Sequence, residues 1–345
     1  MRYAGVDLHK KTLSVCVVDR KRSVIERAKL RCDQPQAILE FVRRHQPLQL
    51  VVEATAGYRW LFALVERDVE RLVLAHPRKL RIIAESTRKS DRLDAQVLAE
   101  FLALGMIPES YQPTPREHGY RVLVRHRQKT QGRITSVKNR LRRVLADCNR
   151  DFPRLFTRAG LAEAQSIPLE PADRFVFDEL LSSLLFHQER LRQVDRELAE
   201  YRAAAGQREQ AAQTVLASIP QVGPVTIDTI LSELGDVRRF RNAKQVCAWS
   251  GLIPAQRESA GRRRDGGITK EGSSLLRWTL VEAAWRLVGS DARWGAIFEN
   301  LNKRCGKKKA IVAVARKLLC VIYAMLRDGT AYDVTRPGVR PSPHS

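Results

Sequence analysis

Apolar runs of strand length, separated by polar turns, dominate the first 75 residues. Residues 2–7, 13–18 and 23–30 read as three successive strands, the sequence of a meander. Ala37, Ile38, Phe41 and Val42 then recur at helical spacing, ahead of residues 48–53, which are apolar almost throughout, as a central parallel strand requires. Helical spacing over 57–69, a strand at 72–74 and more helix after Pro77 complete an α/β domain of about 110 residues. Its last helix opens at Ser90-Asp91-Arg92-Leu93-Asp94 and carries Ala95, Val97, Leu98, Phe101 and Leu102 on its apolar side.

The rest of the chain reads as helix. Residues 116–150 place Ile134, Val137, Leu141 and Val144 on one face. Over 173–201, Phe177, Leu184, Leu191 and Leu198 recur every seven residues, with Leu180, His187, Val194 and Tyr201 three places after each, which predicts a coiled-coil seam. The seam needs a partner, either a neighbouring helix or, as the reading favours, a second protomer in a homo-oligomer (dimer or tetramer). Gly223 lies in an apolar-x-Gly turn before a helix over 226–234, the pattern of a helix-hairpin-helix or of an ordinary turn between helices. Apolar helices over 275–287 and 310–326 close a C-terminal core, and the Pro-rich end is expected to be disordered. The expected division is 1–112, 113–205, 206–335 and a tail at 336–345.

Charge changes this picture. The 345 residues carry 61 Lys+Arg against 38 Asp+Glu, a net +23, and the pI near 10.4 points to a polyanionic partner, nucleic acid first. The longest apolar run, 318–326, is too short to span a bilayer, and the early Asp7 does not suit a signal peptide, so a cytoplasmic, nucleoid-associated protein is expected. Six scattered cysteines without a Cys-x-x-Cys argue against a zinc site or a disulfide framework. Residues 111–150 hold 11 Lys+Arg and two acids, which makes Arg125, Arg127, Lys129, Arg133, Lys138 and Arg142 candidate phosphate contacts. Arg262, Arg263, Arg264 and Lys270 are candidates in the second basic stretch, and Gly223 in the hairpin turn.

Four acids carry candidate chemistry. Asp7 and Glu53 fall at the C-terminal ends of strands, where open α/β sheets place their sites. Asp91 and Asp94 sit three apart at a helix start, where capping is the simpler explanation for either alone. Together, four carboxylates that can converge are what Mg²⁺ or Mn²⁺ at a phosphoryl-transfer site requires.

Residues 3–10, 52–57 and 89–95 resemble the three acidic blocks of the DEDD transposases of the insertion-sequence 110 family. The resemblance implies an RNase H/RuvC-like N-terminal domain in which Asp7, Glu53, Asp91 and Asp94 bind Mg²⁺. It also covers residues 248–254, 258–264 and 267–274, similar to the family's C-terminal domain, whose loop serine is a second catalytic residue. Ser259 is its counterpart, with Ser259-Ala260-Gly261 where the family has Ser-Gly-Gly; Ser250, Ser273 and Ser274 are weaker candidates. The resemblance implies a recombinase that cuts and rejoins DNA through a serine nucleophile, guided by an element-encoded RNA. Two other readings stay open, a RuvC-like nuclease or junction resolvase using water and a non-enzymatic DNA-binding accessory protein.

Overall fold

The structure is a computed structural model that describes residues 1–54, 57–77, 79–80, 91–259 and 262–333, without the side chains of 91–94, 256–259 and 262–265. Two expectations lie outside the described residues, the helix over 81–90 and the disordered tail. The chain divides into two compact units, Met1–Gln112 and Pro113–Ser345.

The first unit is built on a five-stranded sheet in the order β3-β2-β1-β4-β5, from β1 (Arg2–Leu8), β2 (Thr12–Val18), β3 (Val24–Arg31), β4 (Leu48–Glu53) and β5 (Arg71–Ala75). The meander β1-β2-β3 is antiparallel, whereas β1, β4 and β5 run parallel. Side-chain alternation divides the core between the two faces of the sheet. Ala4, Val6, Leu50, Val52 and Leu74 pack beneath α1 (Pro35–Arg44) and α2 (Tyr58–Val65), joined by Ile38, Phe41, Leu61 and Phe62. The opposite face presents Gly5, Cys16, Val51 and Val73 to α3 (Asp91–Ala103), which contributes Ala95, Leu98, Ala99 and Leu102.

Gly5 fixes how closely α3 approaches. A Cβ on Gly5 would overlap the Ala95 carbonyl oxygen and lie 2.5 Å from the Ala99 nitrogen. Helix backbone therefore lies directly on strand backbone, and the obstacle to any side chain is main chain that cannot rotate away.

In the second unit, α4 (Pro115–Asp147) begins with a Thr114/Glu117 capping box. It packs against α6 (Pro171–Ala203), with α5 (Arg158–Ser166) near their joined end. Ile134, Val137, Leu141 and Leu145 meet Phe177, Leu180, Leu181 and Leu184, while Tyr120 and Val124 meet Leu198, so the two helices run antiparallel. The heptad seam is thus filled by α4 of the same chain, and the preference for a second protomer along that seam is corrected: a long amphipathic neighbour already covers it. The remaining helices are α7 (Gln207–Ala217), α8 (Pro224–Leu234), α9 (Ala243–Trp249), α10 (Ser274–Ser290), α11 (Ala292–Cys305) and α12 (Lys307–Asp328). They enclose a large core that includes Leu216, Ile230, Leu280, Trp294, Leu318 and Ile322. A hairpin of β6 (Pro254–Ser259) and β7 (Arg262–Ile268) interrupts them.

Replacing Gly5 with Val should cost more than about 3 kcal/mol, because overpacking against backbone cannot relax by a rotamer change. Urea denaturation of wild type and Gly5→Val tests this; an equal midpoint would refute the close approach.

Candidate functional site

Asp7 and Glu53 are brought together by strand register. In the parallel β1/β4 pair Gly5 lies opposite Val51 and Val6 opposite Val52, so Asp7 and Glu53 follow as neighbours where both strands end. Period-two alternation gives Asp7 the face of Gly5 and Glu53 the face of Val51, and this is the face covered by α3. Asp91 and Asp94 occupy the first turn of that helix, and Asp94 directly precedes Ala95, whose carbonyl meets Gly5. The fold therefore supplies backbone positions for all four acids toward one end of β1. Among the described side chains no three His, Cys, Asp or Glu are grouped as metal ligands; Asp91 and Asp94 are outside that set. All-oxygen donors suit a hard divalent cation.

The sequence reading missed His9. Its Nε2 lies 2.9 Å from Asp7 Oδ2, with the Asp7 side chain 19% exposed. The turn that holds it is closed by the His9 N–H donating to the Thr12 carbonyl at 2.9 Å. The available signal was spacing: His9 follows Asp7 by two residues, as a side chain on the same strand face would.

Ser259 is the last residue of β6, paired with Arg262, rather than part of a loop as expected; its pairing continues through Glu258 opposite Arg263 and Arg257 opposite Arg264. The triple arginine thus lies on β7. The base of this hairpin is clamped. A Cβ on Gly251 (φ +71°) would collide with Glu271 backbone, and one on Gly272 (φ +64°) with the Trp249 carbonyl, so the two flanks can touch only as glycines. The Arg277 guanidinium donates to the carbonyls of Ser250 (3.1 Å) and Glu271, tying the same flanks together. Lys270 sits there as an exposed turn residue at φ +56°. Two other serines have structural work: Ser250 is fully buried and donates to the Cys247 carbonyl, while Ser273 caps α10 by accepting from the Leu276 amide. Ser274 is exposed at the first position of α10.

Several candidate phosphate contacts are already engaged. Arg125 makes a two-pronged pair with Glu233 at 2.7 and 2.9 Å, and Glu233 is 1% exposed. Arg127 binds Asp195 at 2.6 Å, and Arg142 binds Asp151 at 3.0 Å. Lys138 rests over the Phe156 ring, while Lys129 and Arg133 are exposed on α4. Beside Glu233, buried Asp228 accepts from the Tyr120 hydroxyl at 2.7 Å and from Arg202 at 2.5 Å. Burial raises the Asp228 carboxyl above its ordinary value, although both donors pull the other way. Gly223 caps α8 with an extended backbone (φ −87°), and its carbonyl accepts from the amides of Thr226 and Ile227. The helix behind it is buried along most of its length, so its side chains serve the core.

Comparison with known proteins agrees with both halves of the chain. Residues 4–149 match the DEDD family of IS110 type, described as Transposase, and residues 213–299 match the family described as Transposase IS116/IS110/IS902 family. The chain is similar to a probable family 20 transposase of Pseudomonas aeruginosa, 27% identical over 97% of this chain and 98% of the relative. It is similar to the transposase for insertion sequence element IS1111A of Coxiella burnetii, 25% identical over 96% of this chain and 91% of the relative. A pilin gene-inverting protein of Moraxella bovis is 32% identical over 35% of this chain and 38% of its own length.

Two substitutions on α4 should separate structure from binding. Arg125→Ala leaves the buried Glu233 with only the longer Arg121 contact at 4.0 Å among the described residues and should cost roughly 2 kcal/mol in thermal or urea unfolding, whereas Lys129→Ala should leave stability within about 0.5 kcal/mol. Equal unfolding curves for Arg125→Ala and wild type would show that the pair is dispensable.

Proposed function

Because the chain belongs to the IS110 family of transposases, enzymes that cleave and rejoin DNA, we propose that Asp7, Glu53, Asp91 and Asp94 form its catalytic acidic centre and that Ser259 is its nucleophile. The observation that carries this reading is the adjacency of Asp7 and Glu53 at parallel strand ends, on the face where α3 is held against Gly5. Transposases of this type depend on a divalent metal, and Mg²⁺ fits the carboxylate donors. Bound there, it would supply Lewis-acid stabilisation of charge on phosphate oxygens. His9 holds one oxygen of Asp7, fixing the direction in which the other projects.

In this reading Ser259 Oγ attacks a DNA phosphorus, forming a serine–phosphate ester as the bond to a strand oxygen breaks, and the hydroxyl proton passes to a general base. A hydroxyl of the incoming strand then displaces the serine and rejoins the DNA. Arg262, Arg263 and Arg264 follow within the same hairpin and would balance phosphate charge. The named activity of the pilin gene-inverting relative supports strand exchange over hydrolysis, since inverting a segment requires that cut ends be rejoined. A guide RNA and a homo-oligomer belong to the reading. The first rests on the family resemblance, with the net +23 able to accommodate an RNA beside DNA, and exposed Phe175, Val176, Leu185 and Phe186 on α6 support the second.

Asp7→Asn and Glu53→Gln should each lower Mg²⁺-dependent cleavage by at least about 100-fold, with DNA affinity kept within about threefold. Wild-type protein on a nicked substrate should carry protease-sensitive, covalently attached DNA that Ser259→Ala lacks. Normal cleavage by both acid variants would refute the acidic centre; cleavage by wild type without an adduct would favour the water-using nuclease.

A further inference from the structure

Resting on the DNA-recombinase reading above, we propose that the junction of α11 and α12 is a docking site for the phosphodiester backbone of duplex DNA, with Lys303, Arg304, Lys307, Lys308 and Lys309 as its contacts. These five cations fall within seven consecutive residues, and all seven are exposed. None of the five has an acid partner among the described residues. This sets them apart from Arg116, Arg125, Arg127, Arg142 and Arg202, whose charges are matched by Glu209, Glu233, Asp195, Asp151 and Asp228. The sequence offers no compensation either: from Glu299 to Asp328 there is no intervening acid, while eight Lys or Arg occur.

The local placement opposes helix stability. Lys307, Lys308 and Lys309 are the first three residues of a 22-residue helix whose cap, Gly306, provides no side-chain acceptor, and the first turn contains no acid. Cations there repel the positive end of the helix dipole and one another. An external polyanion relieves both repulsions at once, beyond the screening that water and salt provide. The surface is also held in place. Gly306 turns the chain at φ +79°, and Lys307 Nζ lies 5.4 Å from the centroid of Trp285, whose ring meets Phe298 edge-on at 5.3 Å. Two packed helices therefore present the cations on a supported corner.

The test compares full-length protein carrying Asp7→Asn, so that binding is read without cleavage, with the same protein further changed at Arg304→Gln, Lys308→Gln and Lys309→Gln. Binding to a duplex DNA of arbitrary sequence and to a folded RNA is measured over a range of salt. Each lost phosphate contact lowers the slope of log K against log salt by about 0.9 for duplex and about 0.7 for single strands. The triple change should therefore lower the slope by about two to three, with affinity at least about tenfold weaker near 0.1 M salt. A lowered slope with the duplex is the expected result, and a change confined to the RNA would overturn duplex DNA as the occupant. Thermal unfolding should change little, because Lys308→Gln and Lys309→Gln remove repulsion at the start of α12 while Arg304→Gln removes a favourable cation from the last turn of α11. Unchanged slopes with both polymers, or weaker binding at an unchanged slope, would overturn the proposal. Residual cleavage by the Asp7→Asn parent would instead count against the acidic centre and leave the slopes interpretable.

Discussion

The contact between Gly5 and the backbone of α3 is the constraint on which the first unit of this protein depends. A hydrogen atom in place of a side chain on β1 lets a helix lie on the strand itself, and Ala95 and Ala99 are small for the same reason. Two consequences follow from one contact. The α3 face of the sheet is sealed around Cys16, Val18 and Val51, and the first turn of α3 is fixed relative to the strand ends that carry Asp7 and Glu53. Stability and placement of the acids are therefore not separable at Gly5.

Charge in the second unit performs two different tasks. Arginines on α4 reach into a helix whose acids are nearly inaccessible: Glu233 is held by Arg125, while Asp228 takes Arg202 and the Tyr120 hydroxyl. Buried pairs of this kind add little net stability over an apolar core, yet losing one partner leaves a charge without solvent or counter-ion. They specify that α4, α6 and α8 meet in one register. Among the described residues, the lysine-rich corner between α11 and α12 meets no such acids and faces solvent. A single net charge hides this division, because local density counts arginines alike whether they hold the fold or face solvent.

The sequence alone determined the sheet strands, the long helices and the family. Period-two runs and a 3.6-residue repeat report which faces are buried, and β1, β4, α4 and α6 have strong versions of those patterns. The acids at strand ends were legible for the same reason, since the last residue of an apolar strand is identifiable from the pattern. The β6/β7 hairpin was not: residues 254–268 are rich in arginine and glycine, so no apolar alternation marks them, and their strand character comes from pairing between two segments. The partner of the heptad seam was equally undetermined, because a seam encodes the need for an apolar neighbour and not which helix supplies it. Tertiary structure decided that α4 fills it, that His9 meets Asp7, and that Arg125 belongs to Glu233 while Lys308 meets no acid among the described residues. The α4–α6 and Arg125–Glu233 contacts join positions whose sequence separation carries no periodic signal, and only the folded chain brings them within a few ångströms.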